Sequence, residues 1–432
     1  MDEAAARKVA MHPLLSSYIG GPRSSLPTPS LCVSLPTIKR NCDIFHRSLE
    51  GLDISFRAHV KTHKTAEVTR IELGPNHHSV ITSTIREIRG LQPLIEEGVV
   101  TDVLYGLPPA ASYVATLSSI SGTMPPTANL RLLVDNPAQI TSLASLPQLS
   151  GKPWSIFIKL DGGYHRAGLE PESEALQELL TTAIQAKNND IYGFYAHAGD
   201  SYSAKSSKDS LDYLKLELET VAAGIKTLHT AADSLGVASD FATKPLVLSI
   251  GATPTAHVVS GLKSIENETG IKIPSNCTLE IHAGNFPFND LQQLATGVVP
   301  PPDPAISGSS SLACTLNVEV VSIYPSRNEA LINAGVLAVG REPGQSPGFA
   351  RVRDKERWVL GKVSQEHGIL KFNKEATEGG GEDTAEKTFR VGDKLVLDVQ
   401  HACVAAASHD WYFVVDEGDI VTDVWYPWRG WM

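Results

Sequence analysis

A (β/α)8 TIM-like barrel followed by a C-terminal all-β domain, α/β in class, is the architecture this sequence predicts. Three observations predict it. Short β-rich runs alternate with amphipathic segments from residue 53 to 290; a Pro/Gly/Ser-rich stretch at 297–311 breaks the pattern; strands and turns with almost no helix follow to residue 432.

The runs of the first region are "ISFRAHV", "HHSVITST", "VTDVLYG", "LRLLVD", "WSIFIKLD", "IYGFYAH", "PLVLSIG" and "CTLEIHAG". The second and third carry the weakest β signal. Between them lie segments such as "ESEALQELLTTAIQA" and "SLDYLKLELETVAAGIKTLHTAA", with apolar residues at helical spacing. Eight strands with intervening helices predict a closed barrel, with a doubly wound sheet as the alternative. After "GVVPPPDPAISGSSS" come "ACTLNVEVVSIYP", "EALINAGVLAVG", "RWVLGKVS", "GILKFN", "DKLVLDVQHACVAA" and "DWYFVVDEGDIVTDVW". The expected division is therefore a barrel over 31–298 and a β-domain over 305–432. The polar, Gly-rich piece "NKEATEGGGEDTAEKT" is expected to be a disordered surface loop.

Composition bounds the function. The chain has 432 residues, 42% hydrophobic and 20% charged, values of a globular protein long enough for two domains. Lys+Arg 37 against Asp+Glu 48 gives a net charge of −11, with no basic block, so nucleic-acid or membrane-surface partners are not expected. Five scattered cysteines without a CxxC pair argue against a disulfide framework and for a reducing compartment. "MDEAAARKVAMHPLL" lacks a secretory apolar core and no apolar run reaches eighteen residues, so a cytoplasmic location is expected.

The chemistry begins at residues 57–65, "RAHVKTHKT". Barrel strands converge on one mouth at their C-termini, where active sites form. Strand alternation would point His59, Lys61 and His63 together, with Lys64 beyond the strand. A lysine at a barrel mouth suits a phosphate-binding cation or a Schiff-base amine; a solvated strand end with a chance basic cluster is the plain alternative. "LVLSIGATPTAHVV" places Gly251, Thr253 and Thr255 between a strand and a helix, where a threonine N-cap and free amides would bind an anion. "EIHAGNFPFND" supplies a second glycine turn, Gly284-Asn285, on the next strand. A strand-one lysine facing a phosphate cradle on strands seven and eight suggests pyridoxal 5'-phosphate. Further on, "HAC" would put His401 and Cys403 on one strand face, two residues apart. Imidazole with thiolate favours Zn2+, and two ligands alone suit a catalytic ion with open positions; an accidental H-x-C is the alternative.

Taken together, "HVKTHKT", "GFYAHAGDSY", "LSIGATPT", "EIHAGNFPFND", "VSQEHGIL" and "HACVAAASHDWYFVVD" resemble the eukaryotic, fungal-type D-serine dehydratases, pyridoxal-phosphate enzymes of the alanine-racemase-like fold related to D-threonine aldolases. The resemblance spans about residues 30 to 430. It implies that residues 1–30 pack with the β-domain, and that the enzyme is a homodimer with its active site at the interface. It implies an imine on Lys61, Lys64 being peripheral, and cofactor contacts from Tyr195 and Tyr202, for which aromatic packing is the alternative. It implies zinc on His401 and Cys403, where aldolase relatives carry Asp in place of the cysteine. Gln400, with Val399 ahead of it, departs from the family's Pro-Asn pair and puts the local turn in question. Glu366 and His367 in "QEHG" are expected to be supporting or structural. The implied reaction is conversion of D-serine to pyruvate and ammonia, with Lys61 as general base and zinc on the departing hydroxyl. D-threonine aldolase and 3-hydroxyaspartate dehydratase activities on the same scaffold are the alternatives. A cofactor carrier would lack the β-domain, and a racemase would need a second base that the sequence does not identify.

Overall fold

Strand β1 (Ser30–Ser34) precedes the barrel in the chain but lies in a different sheet, antiparallel to one neighbour and parallel to another. The barrel follows: β2 (Ile54–His59), β3 (Ser79–Thr82), β4 (Asp102–Tyr105), β5 (Asn129–Val134), β6 (Trp154–Lys159), β7 (Asn189–Tyr195), β8 (Leu246–Ile250) and β9 (Cys277–Ala283) close in that order, every pairing parallel. All eight runs marked in the sequence are strands, and the doubly wound alternative falls. This computed structural model describes residues 13–302, 310–374 and 383–432. The chain divides into two compact units: Met1–Ile44, Thr62–Ile71 and Asn285–Arg429 in one; Phe45–Lys61, Glu72–Gly284 and Gly430–Met432 in the other, which holds the barrel.

Two of the long barrel helices start where their sequences supply serine caps. Ser206 accepts a hydrogen bond from Asp209 N (3.2 Å) to open the helix Ser207–Ser234, and Ser173 accepts from Leu176 N (3.2 Å) to open Glu174–Gln185. Inside the barrel, Ile81, Leu104, Leu133, Phe157 and Tyr195 form one apolar cluster. A charged layer fills another part of the interior. Arg57, with no exposed surface, donates from Nη1 to Asp102 Oδ1 (2.6 Å) and from Nε to Glu280 Oε1 (2.7 Å). Arg131 Nε donates to the second oxygen of Asp102 (2.6 Å), and its guanidinium lies 3.2 Å from the Tyr192 ring centroid. Burial works against the Arg57 charge, but Asp102 and Glu280 outweigh it and raise its pKa. Arg57→Met would leave two buried carboxylates short of a countercharge, so it is expected to destabilise the barrel by about 3–5 kcal/mol in urea unfolding; a loss of less than about 1 kcal/mol would contradict this reading of the layer.

The other unit carries a nine-stranded sheet. Its C-terminal strands are β10 (Cys314–Tyr324), β11 (Glu329–Ile332), β12 (Ala350–Val352), β13 (Trp358–Val363), β14 (Gly368–Phe372), β15 (Lys394–Val399), β16 (Tyr412–Val415) and β17 (Val421–Trp425), in the order β11-β14-β13-β12-β15-β10-β1-β16-β17. The barrel boundary expected at residue 31 therefore moves. β1 pairs with β10 and β16, and the first barrel strand begins at Ile54, because a five-residue strand buried along most of its length needs a partner on each side. Leu15 and Leu26 share an apolar cluster with Cys32, Phe413, Val415, Val421 and Val424. Residues 1–12 of the N-terminal segment, 303–309 of the expected boundary and 375–382 of the expected loop lie outside the described residues. The end of that loop forms a short helix, Ala385–Thr388. Among the described residues, no helix is long and apolar enough to cross a membrane.

Candidate active site

Because all eight barrel strands are parallel, the residues that follow each strand gather at one mouth. Lys61 is there, but not on the strand. β2 ends at His59 and the chain turns over residues 60–63, so the expected alternation of His59, Lys61 and His63 stops after its first member. The last backbone bond to β3 on that side runs from Val60 N to Ile81 O (3.1 Å), and the chain turns beyond it. His63 belongs to the other unit, where it is fully buried. Its ring nitrogen accepts from Thr65 N (3.1 Å), and burial, then the Lys64 cation, push its pKa down to about 3. It is neutral at working pH. Lys64 takes a left-handed conformation, φ 53°, and its carbonyl accepts from Trp428 N (2.8 Å).

Tyr195 ends β7 and stacks on His282 of β9, ring centroids 4.1 Å apart and planes 11° from parallel. Tyr195 also belongs to the apolar cluster. Tyr202 is half-buried on the 3-10 turn Gly199–Ser203. His282 Nδ1 lies 3.0 Å from Ser249 Oγ, while its Nε2 is buried with no hydrogen-bond partner among the described residues. His197, just past β7, has Nδ1 2.7 Å from Gly251 O. Burial first, then the neighbouring Lys61 cation for His197 and the His197 ring for His282, hold both imidazoles well below their ordinary pKa. Lys159, at the end of β6, is also buried. Its Nζ donates to Leu160 O (2.7 Å), and desolvation, then Arg166, push its pKa down to about 8.

The two glycines sit where a side chain has no room. Gly251 has φ 140°, and a Cβ there would come within 2.3 Å of His282 O; at Gly284 a Cβ would come within 2.1 Å of His59 O. Thr253 is buried but is not the N-cap: it is the first residue of the helix Thr253–His257, and Ala252 occupies the cap. The Thr255 hydroxyl accepts from Ala252 N (2.8 Å), because an alanine cap has no side-chain oxygen to offer. Asn285 falls in the unit that does not contain Gly284, and its Nδ2 donates to Asp290 Oδ2 (2.6 Å).

In the sheet-bearing unit, His401 and Cys403 do not share a strand face. β15 ends at Val399, and His401 is the N-cap of a short helix, Ala402–Ala406. Gln400 ends the ladder: its N–H donates to Phe349 O (3.1 Å), and its carbonyl accepts from Gln292 N (3.0 Å). The turn brings the two side chains together nonetheless. Burial lowers the His401 imidazole pKa, but the nearby Cys403 sulfur, then Asp290 and Glu342, outweigh it and hold it up at about 10. Among the described residues, no group of three or more His, Cys, Asp or Glu side chains is arranged to hold a metal ion, so this pair stands alone. Glu366 and His367 are exposed at the turn between β13 and β14, where Ser364 N donates to His367 O (2.8 Å).

The sequence reading missed Lys159, His197 and His282. A signal for the histidines was present: β7 and β9 both run into the tripeptide His-Ala-Gly, at 197–199 and 282–284. A repeat at two strand ends of one barrel places like side chains at one mouth. Lys159 had only its strand-end position in "WSIFIKLD" to mark it.

Comparison with known proteins decides the family. Residues 33–258 match the family model "Alanine racemase, N-terminal domain", and residues 313–415 match "Putative serine dehydratase domain". The chain is 36% identical to the D-serine dehydratase of Schizosaccharomyces pombe, over 97% of this chain and 95% of that protein. It is 35% identical to the D-serine dehydratase of Saccharomyces cerevisiae, over 98% and 100%. The chain belongs to the D-serine dehydratase family. Among solved structures, a cysteine-to-alanine mutant of D-threo-3-hydroxyaspartate dehydratase in the metal-free form aligns with this D-serine dehydratase family member at a TM-score of 0.75 and 23% identity, covering 95% of this chain and 100% of that one. At that identity the likeness speaks for the alanine-racemase-like fold, barrel and β-domain together.

Proposed function

We propose that this D-serine dehydratase family member converts D-serine to pyruvate and ammonia, with pyridoxal 5'-phosphate carried by Lys61 and Zn2+ held by His401 and Cys403. The observation that carries the reading is the juxtaposition of His401 and Cys403 at the turn after β15. A soft sulfur beside an imidazole is a zinc donor set, and two protein donors leave positions open for substrate. The barrel mouth fits the organic cofactor. It offers a lysine amine past a strand end, the buried and unpartnered His282 Nε2 for a polar ring substituent, and the start of the helix at Thr253 for a phosphate.

When bound, the cofactor supplies an electron sink for charge at the substrate Cα, and the ion supplies a Lewis acid for the departing hydroxyl. The chain's own residues do the rest. Lys61 Nζ would hold the cofactor and would accept the substrate Cα proton as general base. Tyr195, fixed by its stack on His282, and Tyr202 would wall the cofactor, and backbone at Gly251, Thr253 and Gly284 would hold its phosphate. Asn285 contributes through its backbone, its Nδ2 being engaged with Asp290. Loss of the Cα proton and the β-hydroxyl leaves an enamine that water converts to pyruvate and ammonia.

The test is product analysis with zinc- and cofactor-loaded protein on D-serine, L-serine, D-threonine and 3-hydroxyaspartate. D-Serine is expected to give equimolar pyruvate and ammonia, with L-serine at least about 100-fold slower, a gap of roughly 2.7 kcal/mol in transition-state binding. Glycine and acetaldehyde from D-threonine would make it an aldolase; a higher kcat/KM for 3-hydroxyaspartate would make that the substrate. The reading includes a cytoplasmic homodimer. Light scattering of the active enzyme checks the dimer, cell fractionation checks the compartment, and an active monomer would contradict the first.

A further inference from the structure

Each member of the proposed metal pair has a polar contact to a further side chain. His401 Nδ1 lies 2.7 Å from Glu342 Oε2, and Cys403 Sγ lies 3.1 Å from the hydroxyl of Thr62, the residue after Lys61 in the chain. Between them the Ala402 amide donates to Asp290 Oδ2 (2.8 Å). Asp290 is itself fully buried and held by Asn285 Nδ2 (2.6 Å) and Gln293 N (2.9 Å). The backbone linking the pair is thereby tied to a buried carboxylate, and each side chain has a polar partner of its own.

We infer that Glu342 and Thr62 are positioning residues for the metal pair, Glu342 choosing which imidazole nitrogen faces the ion and Thr62 steadying the sulfur. The inference rests on His401 and Cys403 being the ligands. A carboxylate accepts and does not donate, so the Glu342 contact requires the hydrogen on Nδ1 and leaves the Nε2 lone pair for the ion. Without Glu342 the ring is free to carry its hydrogen on Nε2, the form that cannot coordinate there, and to rotate. Ion-bound sulfur carries no proton, so the Thr62 hydroxyl must be the donor in that pair. Thr62 is almost fully buried and cannot exchange this contact for water. Carboxylate contacts of this kind raise ligand basicity and fix ring orientation, and their loss weakens metal binding by about 10–100-fold.

The experiment is a zinc titration at fixed pH against a chromogenic chelator, using the full-length holoenzyme and its Glu342→Ala, Glu342→Gln, Thr62→Val, His401→Ala and Cys403→Ala variants. Glu342→Ala is expected to raise the zinc dissociation constant by about 10–100-fold, with Glu342→Gln in between, since its amide oxygen still accepts but carries no charge. In the cobalt-substituted proteins the sulfur-to-cobalt absorbance is expected to persist in Glu342→Ala and to shift in Thr62→Val, a signature that general loosening of the fold would not produce. Glu342 is partly exposed, and Glu342→Gln preserves its size should Glu342→Ala fold poorly. Wild-type zinc affinity in both Glu342 variants, while His401→Ala and Cys403→Ala lose zinc, would overturn the role of Glu342 alone. Zinc held as tightly by His401→Ala and Cys403→Ala as by the wild type would instead overturn the ligand assignment.

Discussion

Lys61→Ala is expected to abolish the visible absorbance of the lysine-bound cofactor and to cut D-serine turnover by about 10³-fold or more, since both the covalent anchor and the general base are removed. Two other lysines compete for the anchor. Lys64 sits in a left-handed turn with its carbonyl tied to Trp428 N, and Lys64→Ala is expected to leave the colour intact. Lys159 is the stronger rival, because burial pushes its pKa down to about 8, the direction that makes an amine nucleophilic. Its Nζ, however, is engaged with Leu160 O at 2.7 Å inside the barrel wall. Borohydride reduction followed by peptide mapping separates the three: the cofactor is expected on the peptide containing Lys61, and recovery on Lys159 or Lys64 would refute the assignment.

Removal of zinc is the second large effect. Chelation, His401→Ala and Cys403→Ala are each expected to abolish D-serine elimination while leaving the cofactor's colour, because the proposed anchor Lys61 and the phosphate contacts at Gly251, Thr253 and Gly284 belong to the barrel unit and neither metal ligand does. A loss of colour that parallels the loss of turnover would mean that the ion holds the cofactor or the fold, and the division of roles would fail. Titrating zinc back into chelated protein while following absorbance and pyruvate together reads both outcomes in one cuvette.

The barrel was legible because its strands are short apolar runs between amphipathic helices, and a parallel strand buried on both faces reads as continuous hydrophobic sequence. "WSIFIKLD" and "PLVLSIG" show this directly, and both are strands. β1 escaped the division because its partners, β10 and β16, lie nearly 300 and 380 residues away, and nothing local in "SLCVS" says which sheet it joins. The charged layer was hidden for the same reason: Arg57, Asp102, Arg131 and Glu280 come from four strands, and each alone looks like a misplaced surface residue. At the metal pair the residues were legible and their setting was not. The spacing of "HAC" suggested a strand face, whereas the ladder stops at Val399 and a helical turn performs the approach. Thr253 shows a similar shift, since the cap falls one residue earlier and Thr255 serves it. Glu342 and Asp290 could not be read at all, being 59 and 111 residues before His401 with no motif linking them.

The comparison of D-serine with β-chloro-D-alanine tests the central claim most directly, since the two share Cα chemistry and differ in the leaving group. Chloride departs without Lewis-acid help and hydroxide does not. Chelated enzyme, and His401→Ala enzyme, are expected to form pyruvate from β-chloro-D-alanine at a rate close to that of the zinc enzyme while turning over D-serine at least about 100-fold more slowly, roughly 2.7 kcal/mol in barrier height. Equal suppression of both substrates would show that the ion at His401 and Cys403 positions substrate or supports structure, and the leaving-group role assigned to that pair would be wrong.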